Sequence, residues 1–411
     1  MPIQGQTIDT ENIADDAVTT AKIKDINVTT AKVADDNITT AKMFDLGRGS
    51  ILYGNASAVT TELTKGGASE VLTSDGTDIA WTAAAGGGGN TVYNAIINGD
   101  MTIAQRGTAF RAGDNDDDSY TLDRWYVLSD GNDIVDVTQT SDTAVGDSKY
   151  AIQLDVETID KKFGIVQIIE NVNCHEMIGD NVSLSFRAKV AGSGKLDNVK
   201  AGVVAWSGSS DSVTSDIISA WGAEDTNPTL IANATFENTP ANLNVTTSYA
   251  TYKIENISID TASTNNILVF IWSDVIDTDL TDSVYITDVQ LEKGTATTTF
   301  VRELESKNLS NCQRYYFAPS GNAVGIAYST KGMVFNISFP MVMRSSPSAT
   351  IEYGGTANKL YRIQTGATQI ITLNYFGNAS GTTHLYDLSI GDWTGGTGEA
   401  WNTQFAYNSE L

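Results

Sequence analysis

NVSLSFRAKV, residues 181–190, alternates polar and apolar side chains without a break, and it is one of six strand-like stretches that decide the fold class. The others are KYAIQLDV (149–156), FGIVQIIENV (163–172), ATYKIENISI (250–259), NILVFIW (266–272) and SVYITDVQLEKG (283–294). A period of two sends successive side chains to opposite faces of a sheet. Broken by Asn, Asp and Gly at this frequency, such stretches predict a jelly-roll-like β-sandwich over residues 91–304. Segment 203–240 is less regular and is expected to carry long loops. Downstream, ELESKNLSNCQRYYF (303–317) has helical character and is expected to join the sandwich to a β-rich tip domain over 305–411. GIAYST, GMVFNISFPMVMR, ATIEYGG, QIITLNYF and THLYDLSI supply that domain's strands.

Composition agrees with an all-β reading. The chain has 411 residues, 41% of them hydrophobic, with 36 glycines and only 6 prolines. A net charge of -25, from 50 acidic and 25 basic residues, argues against nucleic acid as a partner, because phosphate binding relies on Lys and Arg clusters and the sequence shows no run of them. The acidic excess reads as a solvated surface, with carboxylate sites for divalent cations as the competing reading. Cys174 and Cys312 are the only cysteines and have no metal-ligand spacing; both are expected reduced and packed. With His175 and His384 the only histidines, zinc sites and a His-based triad are not expected. The polar start MPIQGQTIDT reads as lacking a secretory leader, and no run approaches the roughly 20 apolar residues of a membrane span.

Before the sandwich the pattern changes. Ten-residue units begin at Ile3, Ile13, Ile23 and Val33, three of them ending in TTAK, with apolar residues five apart (Ile3, Ile8, Ile13, Val18, Ile23, Val28, Val33, Ile38). A step of five rotates by about 140° on a helix and flips faces on a flat strand, so neither element alone gathers these residues. Parallel copies around a common axis would, and the repeat therefore predicts a fibre with a trimer as the expected assembly. A shaft over 1–46 is followed by GRGSILYG…DIAWT, a small β module within 47–90 that is too short for its own core and is expected to intertwine with partner chains. AAAGGGG (83–89) reads as a flexible joint.

Four phrases, in this order, carry a resemblance that covers nearly the whole chain: the VTTAK and ITTAK decapeptides, ILYG…EVLTSDGTDIAW, NAIINGDMTIAQRG…YTLDRW, and ITDVQLEKGTATTTF…CQRYYF. Together they resemble bacteriophage tail fibre proteins. The resemblance implies an elongated parallel homotrimer in the virion, assembled in the host cytoplasm without membrane insertion, joined to other tail proteins by its N-terminus. Its distal domains would attach non-covalently to a host surface polysaccharide or outer-membrane receptor, without enzymatic activity. A tail connector without receptor contact and a polysaccharide depolymerase are the alternatives.

The family's sandwich is similar to carbohydrate-binding jelly rolls, in which segments like NGD and TDVQLE lie on adjacent strands near a structural calcium. That implies Asp100 and Asp288 as candidate calcium ligands, although Met101 and Thr102 stand where those modules usually carry an acidic residue. In GDNDDDSY the alternation Asp114, Asp116, Asp118 matches the opening of a calcium loop, but Ser119 and Trp125 replace its glycine and glutamate, which favours a solvated loop. Asp123, Arg124 and Trp125 are expected to pack together, with Arg124 on an aromatic ring or paired with Asp123, and Arg106 as a further partner. Sugars need aromatic faces beside polar groups, so Trp393, Trp401 and Tyr386 are the expected receptor contacts, with Trp206 and Trp221 as further candidates.

Overall fold

The computed structural model describes residues 46–83 except 69 and 75, then 93–143, 148–329, and 332–411 except 346, 354–355, 358, 365–367, 371–372, 378–382 and 391–399. The decapeptide shaft, residues 84–89 of the joint, and Trp393 lie outside the described residues. The protein is all-β, 42% strand and 4% helix. It divides into two units, Met1–Gly88 and Gly89–Leu411.

In the first unit β1 (Ile51–Gly54) pairs antiparallel with β2 (Thr60–Leu63), and β3 (Glu70–Ser74) with β4 (Ile79–Ala83). Asn55 shapes the first turn by accepting hydrogen bonds from the Ser57 and Val59 amides at 3.0 and 3.1 Å. None of this unit's described residues is buried, and Val71 and Leu72 are each 45% exposed. Hairpins this short close no core of their own.

The sandwich in the second unit is built from β5 (Ala109–Phe110), β6 (Tyr126–Ser129), β7 (Val135–Thr140), β8 (Ala151–Val156), β9 (Phe163–Ile169), β10 (Asn181–Ala191), β11 (Val199–Trp206), β12 (Ile218–Ala220), β13 (Thr229–Leu230), β14 (Ala234–Phe236), β15 (Ala250–Ser258), β16 (Asn266–Ser273) and β17 (Ser283–Lys293). Six strands in the order β15-β10-β17-β8-β7-β5 face five in the order β14-β11-β16-β9-β6, β12 and β13 form a separate ribbon, and neighbours pair antiparallel. On β10 the alternation works as written: Val182, Leu184, Phe186 and Ala188 are fully buried between the sheets, so Ser185, Arg187 and Lys189 stand on the outer face.

Strands β9, β11 and β16 are buried along their whole length. A second apolar layer explains this: Trp221, Leu230, Ile231 and Phe236 cover the outer face of the five-stranded sheet. Phe270 stacks on Trp272 at 4.4 Å, and Trp221 meets Phe270 edge-on at 5.9 Å. Segment 203–240 is therefore a strand end followed by a folded cover. A polar clamp fastens it: Asp274, fully buried, accepts from Lys162 and from Lys200 (2.6 Å), while Lys162 also donates to the Ala223 carbonyl at 2.7 Å.

The NGD segment lies beside β17, as the resemblance implies. The Val289 amide donates to the Gly99 carbonyl at 3.0 Å, and a Cβ on Gly99 would sit 2.1 Å from the Val289 carbonyl oxygen. Gly99→Ala should lower stability by about 1–3 kcal/mol through that clash. Gly54→Ala, where a Cβ meets open space, is the control, and equal melting temperatures for both variants would refute the reading.

Helix Glu305–Gln313 occupies the expected joining position. Beyond it a ten-stranded sheet surrounds a separate core of Phe335, Phe339, Ile351, Leu360, Phe405 and Tyr407. This sheet and the sandwich meet through buried polar groups. Arg124, 1% exposed, pairs with Glu410, which also accepts from Arg106 at 3.2 Å. Arg124 stacks over Tyr315 at 3.6 Å and Arg106 over Tyr316 at 3.7 Å. Arg124 is thus stacked on an aromatic ring as expected, but its acid is Glu410 and not Asp123, whose carboxylate accepts from the Gln105 amide at 2.6 Å. Cys174 and Cys312 are free and buried, and burial pushes the Cys174 thiol up to about 12.

Candidate functional site

A cleft of about 460 Å³ opens on the outer face of the six-stranded sheet. Its floor follows from strand register, because Lys253 on β15 lies opposite Ser185 on β10, and Thr251 opposite Arg187. On the other flank the β10–β17 register shifts between Ser185 and Arg187, and at this bulge Asp288 takes φ 52° and lines the cleft. The Ser148 hydroxyl donates to Asp288, and Arg302 donates to Ser148 at 3.2 Å. Burial raises the Asp288 carboxyl above its ordinary pKa, opposed by the Ser148 hydrogen bond and by the charges of Arg302 and Arg187.

The wall is residues 297–302, tethered to the sheet by three acceptors. Thr297 N donates to Glu255 at 2.9 Å, Thr298 N to Glu292 at 2.6 Å, and Val301 N to the Gln290 side chain at 2.9 Å. This preorganises Thr297, Thr298, Thr299 and Phe300 along the cleft. Hydroxyls, guanidinium groups and one aromatic ring suit a polar ligand with apolar CH faces. Arg187 was legible in the alternation of β10. Lys253 and Arg302 join it only through pairing and loop folding.

The residues expected from sequence fare differently. Asp100, 6% exposed, accepts from Asn308 at 3.0 Å and from the Thr102 amide at 3.3 Å, apart from the partners of Asp288. Asp100 and Asp288 thus have separate partners, and among the described residues no three of His, Cys, Asp and Glu gather as a metal-holding group. The same holds for Asp114, Asp116 and Asp118. Their loop turns instead on buried Asn115, which donates to the Val135 carbonyl at 2.8 Å, while Asp118 accepts from Ser215 at 3.0 Å.

Within that loop Asp117 is raised to about 6, chiefly by burial, although the Ser129 amide bond opposes the shift; Asp216 and Asp118 add to it. Because the folded state holds this proton more tightly than the unfolded chain, its stabilisation is complete below about pH 4 and is lost as pH rises through 6. Asp117→Asn should therefore gain melting temperature over the parent at pH 7.5 and not at pH 4.5. An equal difference at both values would refute the assignment.

Trp401 is corrected. It is 2% exposed in the tip core, with Arg362 over its ring at 5.9 Å, so its face is not presented to a receptor. Tyr386 lies on a strand opposite Phe335, and Trp206 is 7% exposed within the covering layer.

Neither protein-family models nor curated proteins give a match to this sequence. Among solved structures, the enzymatically active domain of tailspike protein 4 of bacteriophage CBA120 is similar at 14% identity and TM-score 0.28, covering 49% of this chain and 21% of that one. A carbohydrate-binding module of the β-sandwich superfamily is similar at 9% identity and TM-score 0.32, covering 59% and 72%. A family 22 xylan-binding domain is similar at 9% identity and TM-score 0.27, covering 44% of this chain and 95% of that one.

Proposed function

We propose that this chain is a phage tail fibre protein that attaches the virion to a host cell by binding surface glycan non-covalently in the cleft on β10, β15 and β17. The cleft itself is the observation that carries the reading: a preorganised polar wall over a sheet face, lined with cations and hydroxyls that can meet sugar hydroxyl and acidic groups. Phe300 supplies an apolar surface for a sugar ring's CH face. The phage context rests on the four ordered sequence phrases. Three copies in parallel, as the decapeptides suggest, would convert three weak sites into firm adhesion through effective concentration.

Binding without cleavage is the favoured chemistry, because Asp288 is the one carboxylate among the lining residues, whereas glycoside hydrolysis ordinarily uses two. Labelled protein should adhere to cells within a panel of bacterial strains, and Arg187→Ala with Lys253→Ala should abolish adhesion without releasing the protein's fold. Adhesion to no strain would favour the connector reading. Release of reducing ends from the polysaccharide of an adherent strain would favour the depolymerase.

A further inference from the structure

We infer that the cleft takes an acidic saccharide, one carrying carboxylate or sulfate groups, and that its contact extends along β10 to Lys189. The inference rests on the glycan-binding reading and names the ligand class.

The cleft reverses the charge of the protein around it. Across the chain acidic residues outnumber basic ones 50 to 25, whereas the lining holds Arg187, Lys253 and Arg302 against Asp288 alone. Asp288 is 5% exposed and turned to Ser148, so the cations are the charges a ligand meets first. Lys253 is half exposed, and its acidic neighbour Glu255, 4.0 Å away, is already engaged by the Thr297 amide and hydroxyl. A cleft against low-dielectric walls concentrates the field of the cations that line it.

The same face continues the pattern. Lys189 stands two residues beyond Arg187 on β10, about 7 Å along the strand. Its ammonium lies 4.4 Å from the centre of the Tyr285 ring and 5.1 Å from that of Tyr249, and it donates to Asp142 at 2.6 Å. A cation beside two partly exposed tyrosines offers an acidic sugar a charge partner and a ring surface together. A chain of sugars bearing anionic groups would meet cations in succession along one strand, with threonine hydroxyls on the wall of the cleft.

Titration of the full chain with polygalacturonate, heparin and neutral dextran tests this. Binding to polygalacturonate or heparin, but not to dextran, is expected, and the two anionic polymers separate carboxylate from sulfate preference. Raising salt from about 0.05 to 0.5 M should weaken binding by roughly tenfold or more as exposed charges are screened. Arg187→Gln, Lys253→Gln and Arg302→Gln should each weaken it by about tenfold. The exposed Lys253 variant should do so with an unchanged melting temperature, which separates lost contact from lost fold. Binding to dextran with equal affinity, or affinity indifferent to salt, would overturn the acidic class while leaving glycan binding intact. Binding to none of the three polymers would also overturn it, and cell adhesion then judges the broader reading separately.

Discussion

Glu410→Ala should cost about 3–5 kcal/mol, because it strands the Arg124 guanidinium at 1% exposure without its carboxylate. A further donor of Arg124 already goes to the Ile168 carbonyl, and Glu170 is engaged by the Tyr315 hydroxyl at 2.8 Å and by Arg314, so it is not free to replace Glu410. Arg106 loses the same partner. A fall in melting temperature of roughly 10 °C is expected by calorimetry. The double variant Arg124→Met with Glu410→Leu should recover most of the loss, since an apolar pair removes both desolvated charges at once. A single variant within 2 °C of the parent, a rough limit on the same enthalpy scale, would show that the pair is dispensable.

The second large effect is expected at Asp274→Asn. Two ammonium groups, Lys162 at 1% and Lys200 at 5% exposure, converge on that carboxylate, and Asn leaves them facing one another with no counter-charge. A loss of about 3–5 kcal/mol follows by the same reasoning. Its signature is local, because Lys162 also gathers the carbonyls of Trp221, Ala223 and Thr226. Amide exchange should quicken across 221–236 ahead of β16. Adding Lys162→Met to the Asp274→Asn variant should cost less than the same change in the parent, a coupling that only shared charge predicts. Uniform quickening over the whole sandwich would instead mean global unfolding.

Alternation made the six-stranded sheet readable, because one of its faces is wet. β10 shows this residue by residue: Leu184, Phe186 and Ala188 go in, and Arg187 and Lys189 go out. The five-stranded sheet hid more, since IVQII and LVFIW are apolar on both sides and only the folded cover over 207–240 says why. The expectation for Trp401 rests on an aromatic face beside polar groups and passes over the local strand pattern. The stretch Ala400–Asn408 itself has a period of two, with Trp401, Thr403, Phe405 and Tyr407 buried, and that pattern was available in the sequence. The acid for Arg124 was not. Its neighbour Asp123 is closest along the chain, yet Glu410 is the partner in space. The cleft was half legible for the same reason: Arg187 belongs to a strand pattern, while Lys253 and Arg302 arrive by long-range pairing.

The Arg124 to Glu410 pair also sets an order of events during synthesis. The two residues are 286 positions apart, so at roughly 5–20 residues per second Arg124 leaves the ribosome some 15–60 s before its counter-charge exists. Through that interval a guanidinium destined for burial stays hydrated, and Tyr315 and the helix before it arrive only in its later part. The ion pair that joins the sandwich to the following sheet can therefore form only once residue 410 has been made.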